Sequence, residues 1–164
     1  MRTSVFVGTS LDGFIARADG TFDFLTGGSD ADGASNGFNE FFSTVDVVLM
    51  GRNTYEVVLP FPAWPYGITP VFVLSNRPLP PPPRDAVVEP IAGTPAEVLA
   101  RLSARGLEHI YVDGGATIQQ FLRAGLIHRL VITRVPVLVG AGIALFGALD
   151  SDIRLKHVET RELR

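Results

Sequence analysis

Residues 46–56 read "DVVLMGRNTYE", and residues 109–121 read "HIYVDGGATIQQF". Each begins as a short apolar run of strand type. Each then meets glycine and continues into a segment that can start a helix. A turn that only reversed the chain would not need Arg52 and Thr54 in the first case, or two consecutive glycines in the second. In an α/β sheet such turns lie at the carboxyl ends of strands, where ligands bind. A helix N-terminus there offers free N–H groups and the positive end of its dipole, and both favour phosphate. Two such turns in one chain therefore predict a nucleotide-binding α/β sheet.

The surrounding pattern agrees. "TSVFVG" (3–8) predicts a buried strand, broken by the Asp-Gly signal of "TSLDG", with "FIA" (14–16) a short extended piece. Residues 17–37 predict a long loop. Phe38, Phe41, Phe42 and Val45 form the stripe of an amphipathic helix over 36–45. "TPVFVLS" (69–75) predicts a strand, and "AVVEP" (86–90) a short edge strand after the proline-rich connection 76–85. "TPAEVLARLSARG" (94–106) carries Thr94 at the N-cap, Pro95 at the first helical position, Glu97 at the third, and Gly106 beyond the end. "IHRLVITRVPVLVG" (127–140) predicts a long strand with a bend at Pro136, and 152–163 an antiparallel edge strand beside it. The fold class is α/β, a single domain over residues 1–164 with a mixed, mostly parallel sheet and antiparallel C-terminal strands.

Composition narrows the function. The 164-residue chain has 46% hydrophobic and 19% charged residues, a net charge of -3 and no cysteine. The acidic balance argues against nucleic acid and anionic membrane as partners. The missing cysteines exclude thiolate catalysis and cysteine-bound zinc. No metal-binding H-E-x-x-H, hydrolase G-x-S-x-G or P-loop pattern occurs. No apolar run reaches the roughly 20 residues of a bilayer span, so a cytoplasmic protein is expected. The apolar stretch 130–149 is more than a small domain need expose, and predicts a homodimer. Asp12, between the first strand and the segment covering the turns, is the candidate catalytic carboxylate.

"VVLMGRNTYE", "VFVLSNR" and "IYVDGGATIQQFL" resemble, in order and spacing, the cofactor-binding segments of dihydrofolate reductases. "TSLDGFIA" is more similar to the reductase domain of the bifunctional riboflavin-biosynthesis deaminase-reductase. The resemblance runs from Val5 to about Leu155. It implies a three-layer α/β/α dihydrofolate reductase-like fold that binds NADPH. By motif position, Gly51, Arg52, Asn53 and Thr54 would hold the pyrophosphate and adenosine phosphate. Leu74, Ser75, Asn76 and Arg77 would flank the adenosine, with Arg52 and Arg77 reading its 2′-phosphate. Asp113, Gly114, Gly115, Ala116 and Thr117 would meet the pyrophosphate and nicotinamide, beside Ile15 and Ala16. Asn36 and Asn39 are the candidate substrate contacts, with the aromatic stretch "FPAWPYG" (61–67) a further source of pocket residues, and Arg17 the candidate for a substrate phosphate.

The sequence departs from both relatives. Where dihydrofolate reductases carry a pterin-binding carboxylate, this chain has Ser35 or Asn36, with Asp32 and Glu40 out of register. The zinc-dependent deaminase half is not expected here, because its zinc site needs cysteines and the sequence has none. The implied activity is therefore NADPH-dependent reduction of the riboflavin precursor 5-amino-6-(5-phosphoribosylamino)uracil or of a related small carbonyl or imine. Dihydrofolate reduction and a nucleotide-binding module without turnover are the alternatives.

Overall fold

A computed structural model describes residues 1–26 and 37–163. In chain order the elements are β1 (Arg2–Thr9), β2 (Phe14–Ala16), α1 (Asp23–Thr26), α2 (Phe38–Phe42), β3 (Val47–Gly51), α3 (Arg52–Val58) and β4 (Val71–Leu74). They continue with β5 (Val88–Ile91), α4 (Pro95–Ala104), β6 (His109–Asp113), α5 (Gly115–Arg123), β7 (Arg129–Arg134) and β8 (Ile143–Ala144). Six strands form one sheet in the order β5-β4-β3-β6-β1-β7, and every neighbouring pair is parallel.

Alternation along the strands builds the layers. In β3, Val47 and Leu49 face one side of the sheet and Val48 and Met50 the other. The first side packs on Val98, Leu99 and Leu102 of α4 and on Ile118, Phe121 and Leu122 of α5. The second packs on Tyr55 and Val58 of α3 and on the Phe38, Phe41 and Phe42 stripe of α2. Strands buried on both faces read as continuous apolar runs, which is why β3 and β6 are legible in the sequence. The three-layer α/β/α class follows directly.

At the amino ends of the strands a polar network replaces apolar packing. The Nδ1 of His109 donates to the Thr44 carbonyl at 2.7 Å, which leaves Nε2 to accept from the Ser4 hydroxyl at 2.9 Å. The Asp46 carboxylate accepts the backbone N–H groups of Glu108 and His109 at 2.9 and 2.8 Å. Ser4 is fully buried, so this end of the sheet is braced by satisfied buried groups.

The C-terminal expectation needs correction. β7 stops at Arg134, before Pro136, and pairs with β1 in parallel. No strand forms over 152–163. After β7 the chain turns back so that β8 pairs antiparallel with β2 in a small second sheet. That antiparallel pair draws residues 135–145 over the carboxyl end of the main sheet. The alternating tail is left without a strand beside it, and alternation alone makes no ladder. The helix expected over 36–45 is shorter as well, Phe38–Phe42, because Ser43 and Thr44 close its end with hydroxyl bonds to the Glu40 and Phe41 carbonyls.

Candidate functional site

β3 and β6 are neighbours, with Met50 opposite Asp113. The β3–α3 and β6–α5 turns therefore lie side by side at the carboxyl edge. They interlock. A Cβ on Gly114 would overlap the Thr54 hydroxyl, and a Cβ on Gly51 would meet Thr117 Oγ1 at 3.0 Å. Gly114 also has φ 92, which side chains rarely adopt. Small residues here are a steric requirement.

The helix ends in this cleft are left open. Neither Gly51, at the N-cap of α3, nor Gly114, at the N-cap of α5, supplies a side-chain cap, and neither first turn holds an acid. Away from the cleft, α4 closes its N-terminus with a full capping box: Thr94 accepts from the Glu97 N–H, and the Glu97 carboxylate accepts from the Thr94 N–H at 2.8 Å. The chain caps a helix where nothing else need bind, and leaves uncapped the two ends that meet.

The β2–β8 sheet roofs the second turn. A Cβ on Gly115 would sit 2.9 Å from Ile15 Cδ1, and Gln119 of α5 donates to the Ala144 carbonyl at 3.0 Å. Ile15 is thus brought beside Gly115, while the Ala16 carbonyl lies against Gly142. Asp12 anchors the far side of this roof. Its carboxylate accepts from the Ser10 hydroxyl at 2.6 Å and from the Val139 and Gly140 N–H groups at 3.1 and 2.8 Å. The Ser10 bond, helped by the two N–H donors, lowers its pKa to about 2. Asp12 is an ionised acceptor at neutral pH, which suits holding the 139–140 turn better than donating a proton.

The third segment reaches the same cleft through Arg52. Its guanidinium donates to Ser75 Oγ at 3.1 Å, to the Pro78 carbonyl at 2.9 Å and to Glu56 at 2.7 Å. Ser75 in turn donates to the Arg77 carbonyl at 2.9 Å. Arg52 thus ties the loop after β4 to the first turn of α3. Arg77 is exposed, and no hydrogen bond among the described residues uses its guanidinium.

Under the second turn, Asp113 is paired with Tyr66, a pairing that the sequence does not show. The Tyr66 hydroxyl donates to the Asp113 carboxylate at 3.3 Å, and the Gly114 N–H donates to it at 2.8 Å. Burial raises the Asp113 pKa against those two bonds. Tyr66 and Tyr111 are themselves buried and pushed upward, burial first and the Asp113 charge second. The signal was present in "FPAWPYG", but nothing in that stretch tells which ring turns inward.

Other candidates fall elsewhere. Asn39 and Asn53 lie exposed on α2 and α3. Asn36 lies outside the described residues, as do Asp32 and Ser35. Arg17 is held by Asp23 in a two-bond pair at 2.7 and 3.0 Å, so it is already neutralised.

Comparison with known proteins fits this geometry. The profile of the RibD C-terminal domain matches residues 4–164. The chain belongs to the RibD C-terminal domain family. It is 33% identical to the uncharacterized protein YwjB of Bacillus subtilis (strain 168), over 98% of this chain and 91% of that one. Among solved structures it is similar to a provisionally named riboflavin biosynthesis protein from Shewanella sp. PV-4, with a TM-score of 0.89 and 41% identity over 97% and 90% of the two chains. The diaminohydroxyphosphoribosylaminopyrimidine deaminase/5-amino-6-(5-phosphoribosylamino)uracil reductase of Thermotoga maritima shares the fold. Its TM-score is 0.67 at 16% identity, covering 95% of this chain and 50% of that one. This member of the family thus spans about half of that two-part enzyme. No helix among the described residues is long and apolar enough to cross a membrane.

Proposed function

We propose that this chain is an NADPH-dependent reductase of a small carbonyl or imine compound, with 5-amino-6-(5-phosphoribosylamino)uracil the first substrate to test. The observation that carries the reading is the pair of adjacent, uncapped helix N-termini interlocked through Thr54 and Gly114. Family membership points the same way.

The residues present fit a dinucleotide phosphate. The open N–H groups of α5, with Thr54 and Thr117, suit a pyrophosphate. Gly51, Gly114, Gly115 and Ala116 let a ligand approach the backbone. The free guanidinium of Arg77 suits a 2′-phosphate, which it can hold through paired hydrogen bonds. Arg52, with Asn53 beside it, positions the Leu74–Arg77 loop. Ile15 and Ala16 give the nicotinamide end an apolar wall. NADPH supplies the hydride when bound. The two acids divide the remaining work, because their surroundings push them apart. Asp12 stays ionised and fixes the roof. Asp113 keeps its proton to higher pH, so it is the protein group suited to hold a proton under the second turn. Asn39 and Asn36 remain the proposed substrate contacts.

On this reading the partners are a small molecule and a second copy of the chain, with no role for nucleic acid or membrane, and the compartment is the cytoplasm. Calorimetric titration with NADPH comes first, followed by NADPH oxidation with the pyrimidine and, separately, with dihydrofolate. Binding followed by pyrimidine-dependent oxidation is expected. Oxidation with dihydrofolate alone would make the chain a dihydrofolate reductase, and binding without turnover would leave a nucleotide-binding module. Failure to bind NADPH would remove the reading.

A further inference from the structure

Asp113 follows Tyr111 by two residues, so both side chains leave β6 on the same face of the sheet. That face is the one covered by α2 and α3, and the Tyr66 bond to Asp113 is made there. A substrate that meets the Asp113 carboxyl must therefore come in on the α2 side. The wall it finds is aromatic. Nine of the fifteen aromatic residues of the chain fall between residues 22 and 66. Phe42 lies 6.2 Å from Tyr66 and stacks on Phe38 at 5.4 Å. Phe22, in the segment after β2, reaches Phe61, in the segment after α3, at 6.1 Å. α2 has no buried residue, and Phe38, Phe41 and Phe42 all keep part of their surface in solvent. Phe61 is 37% exposed. Rings left half open beside a proton-holding carboxyl offer a stacking surface to a flat ligand.

Charge on this side has one sign. From residue 18 to residue 51 the sequence has six acids and no lysine, arginine or histidine. From residue 53 to residue 76 it has one acid and again no base. The arginines that border the cleft face elsewhere. Arg17 is paired with Asp23. Arg52 reaches from the end of β3 toward the loop after β4, where Arg77 also stands, whereas Asp113 ends β6 on the other flank of β3. Arg134 is two residues beyond Ile132, which packs with α4 and α5, so it lies on the opposite face and donates to the Leu11 carbonyl. A phosphate monoester carries about −1.5 to −2 charges and is held by charge-assisted bonds. On the α2 side it would meet rings and acids.

Resting on the reductase reading above, we propose that the substrate is a flat heterocycle recognised by its ring alone, stacked on the aromatic surface of Phe22, Phe38, Phe42, Phe61 and Tyr66, with no phosphate read by the site. For 5-amino-6-(5-phosphoribosylamino)uracil this means that the pyrimidine is read and the phosphate is not. Phe61, the most exposed of the five rings, is the position where a cation would reverse the preference.

The protein saturated with NADP+, which has no hydride to give, is titrated in a calorimeter with that pyrimidine and, separately, with its riboside, the same molecule without the phosphate. The riboside should bind at least as tightly as the phosphate, and kcat/KM with NADPH should follow the same order. Phe61→Arg should shift the ratio of the two affinities roughly tenfold toward the phosphate, with unchanged far-ultraviolet circular dichroism. Tighter binding of the phosphate by the wild type overturns the proposal, and so does failure of both pyrimidines to bind. A folded Phe61→Arg protein that keeps the wild-type ratio places the substrate elsewhere and overturns it as well. These results sink the inference alone, whereas failure of NADP+ and NADPH to bind would remove the reductase reading and this inference with it.

Discussion

Arg52 and Arg77 show how much one hydrogen-bond pattern changes a residue's part. Both were expected to read a 2′-phosphate. Arg52 commits its Nε to Glu56 and its Nη1 to Ser75 and Pro78, whereas no hydrogen bond among the described residues uses the Arg77 guanidinium. Charge-assisted bonds are worth about 1.5–3 kcal/mol, reduced by screening at an exposed site. Arg77→Ala should thus weaken NADPH roughly tenfold and leave NADH almost unchanged, as read by calorimetry on both. Arg52→Ala should weaken NADPH as well, because the Arg77 loop loses its tether; here Lys should fail to rescue, since one ammonium cannot reproduce the forked contacts. Equal losses of NADPH and NADH in Arg77→Ala would assign the phosphate elsewhere. Asp113 gives a second residue-scale expectation. Asp113→Asn should lower turnover by about 10²-fold or more and remove a limb of the pH–rate profile. That limb falls as pH rises above the raised pKa, where the wild-type carboxyl loses its proton. An unaltered profile would exclude Asp113 as the proton-holding group.

Among the elements, the contrast between α4 and α5 is the informative one. Both were legible in the sequence, for opposite reasons. Thr94, Pro95, Glu97 and Gly106 announce a closed helix, while the Gly114–Gly115 pair announces an open one. Thr94→Ala should cost about 1 kcal/mol, seen in denaturant unfolding, with NADPH affinity unchanged. Gly114→Ala should do more damage. The new methyl meets Thr54 in a backbone conformation that alanine avoids, so a loss of roughly 1–3 kcal/mol is expected, and cofactor binding should go with it. Adding Thr54→Ala should relieve only the steric part. A Gly114→Ala protein with wild-type stability would mean that the two turns are not locked together. The elements that sequence reading misplaced share one trait: their state depends on a neighbour far away in the chain. Strand β8, two residues long, exists because β2 lies opposite. The tail 152–163 has every local mark of a strand and lacks a neighbour within its own chain. The bonds that Asp12 accepts from Val139 and Gly140, 127 and 128 residues downstream, have no local mark either. Arg52, Asp113 and the glycines stand in the turns where the sequence puts them, because turn chemistry is local.

For the molecule as a whole, the buried network at the amino ends of the strands sets a pH limit. Burial, aided by the charges of Arg2 and Arg129, outweighs the Thr44 bond and the Asp46 charge and lowers the His109 pKa. The unfolded chain therefore binds the proton first. Stability is fully present above about 6.5, the ordinary histidine value, and declines as pH falls below it. Thermal unfolding across that range should show the decline, and His109→Gln, which cannot titrate, should flatten it while lowering stability throughout. A wild-type profile that is flat down to the carboxylate range would show that His109 charges freely in the folded state.

The place of β1 between β6 and β7 has a consequence for how the protein is made. Of the six strands of the main sheet, the first to be made is bonded only to the two made last. From Thr9 to Asp113, the end of β6, is 104 residues, and synthesis at about 5–20 residues per second takes roughly 5–21 s to cover them. For that time "TSVFVG" travels without either of its ladders, a β-prone run in a crowded cell. The nascent chain can assemble β3, β4 and β5 in order, but β1 cannot join them until β6 is made. Yield on overexpression should then respond to translation speed and to chaperone supply more than to the stability of the finished fold.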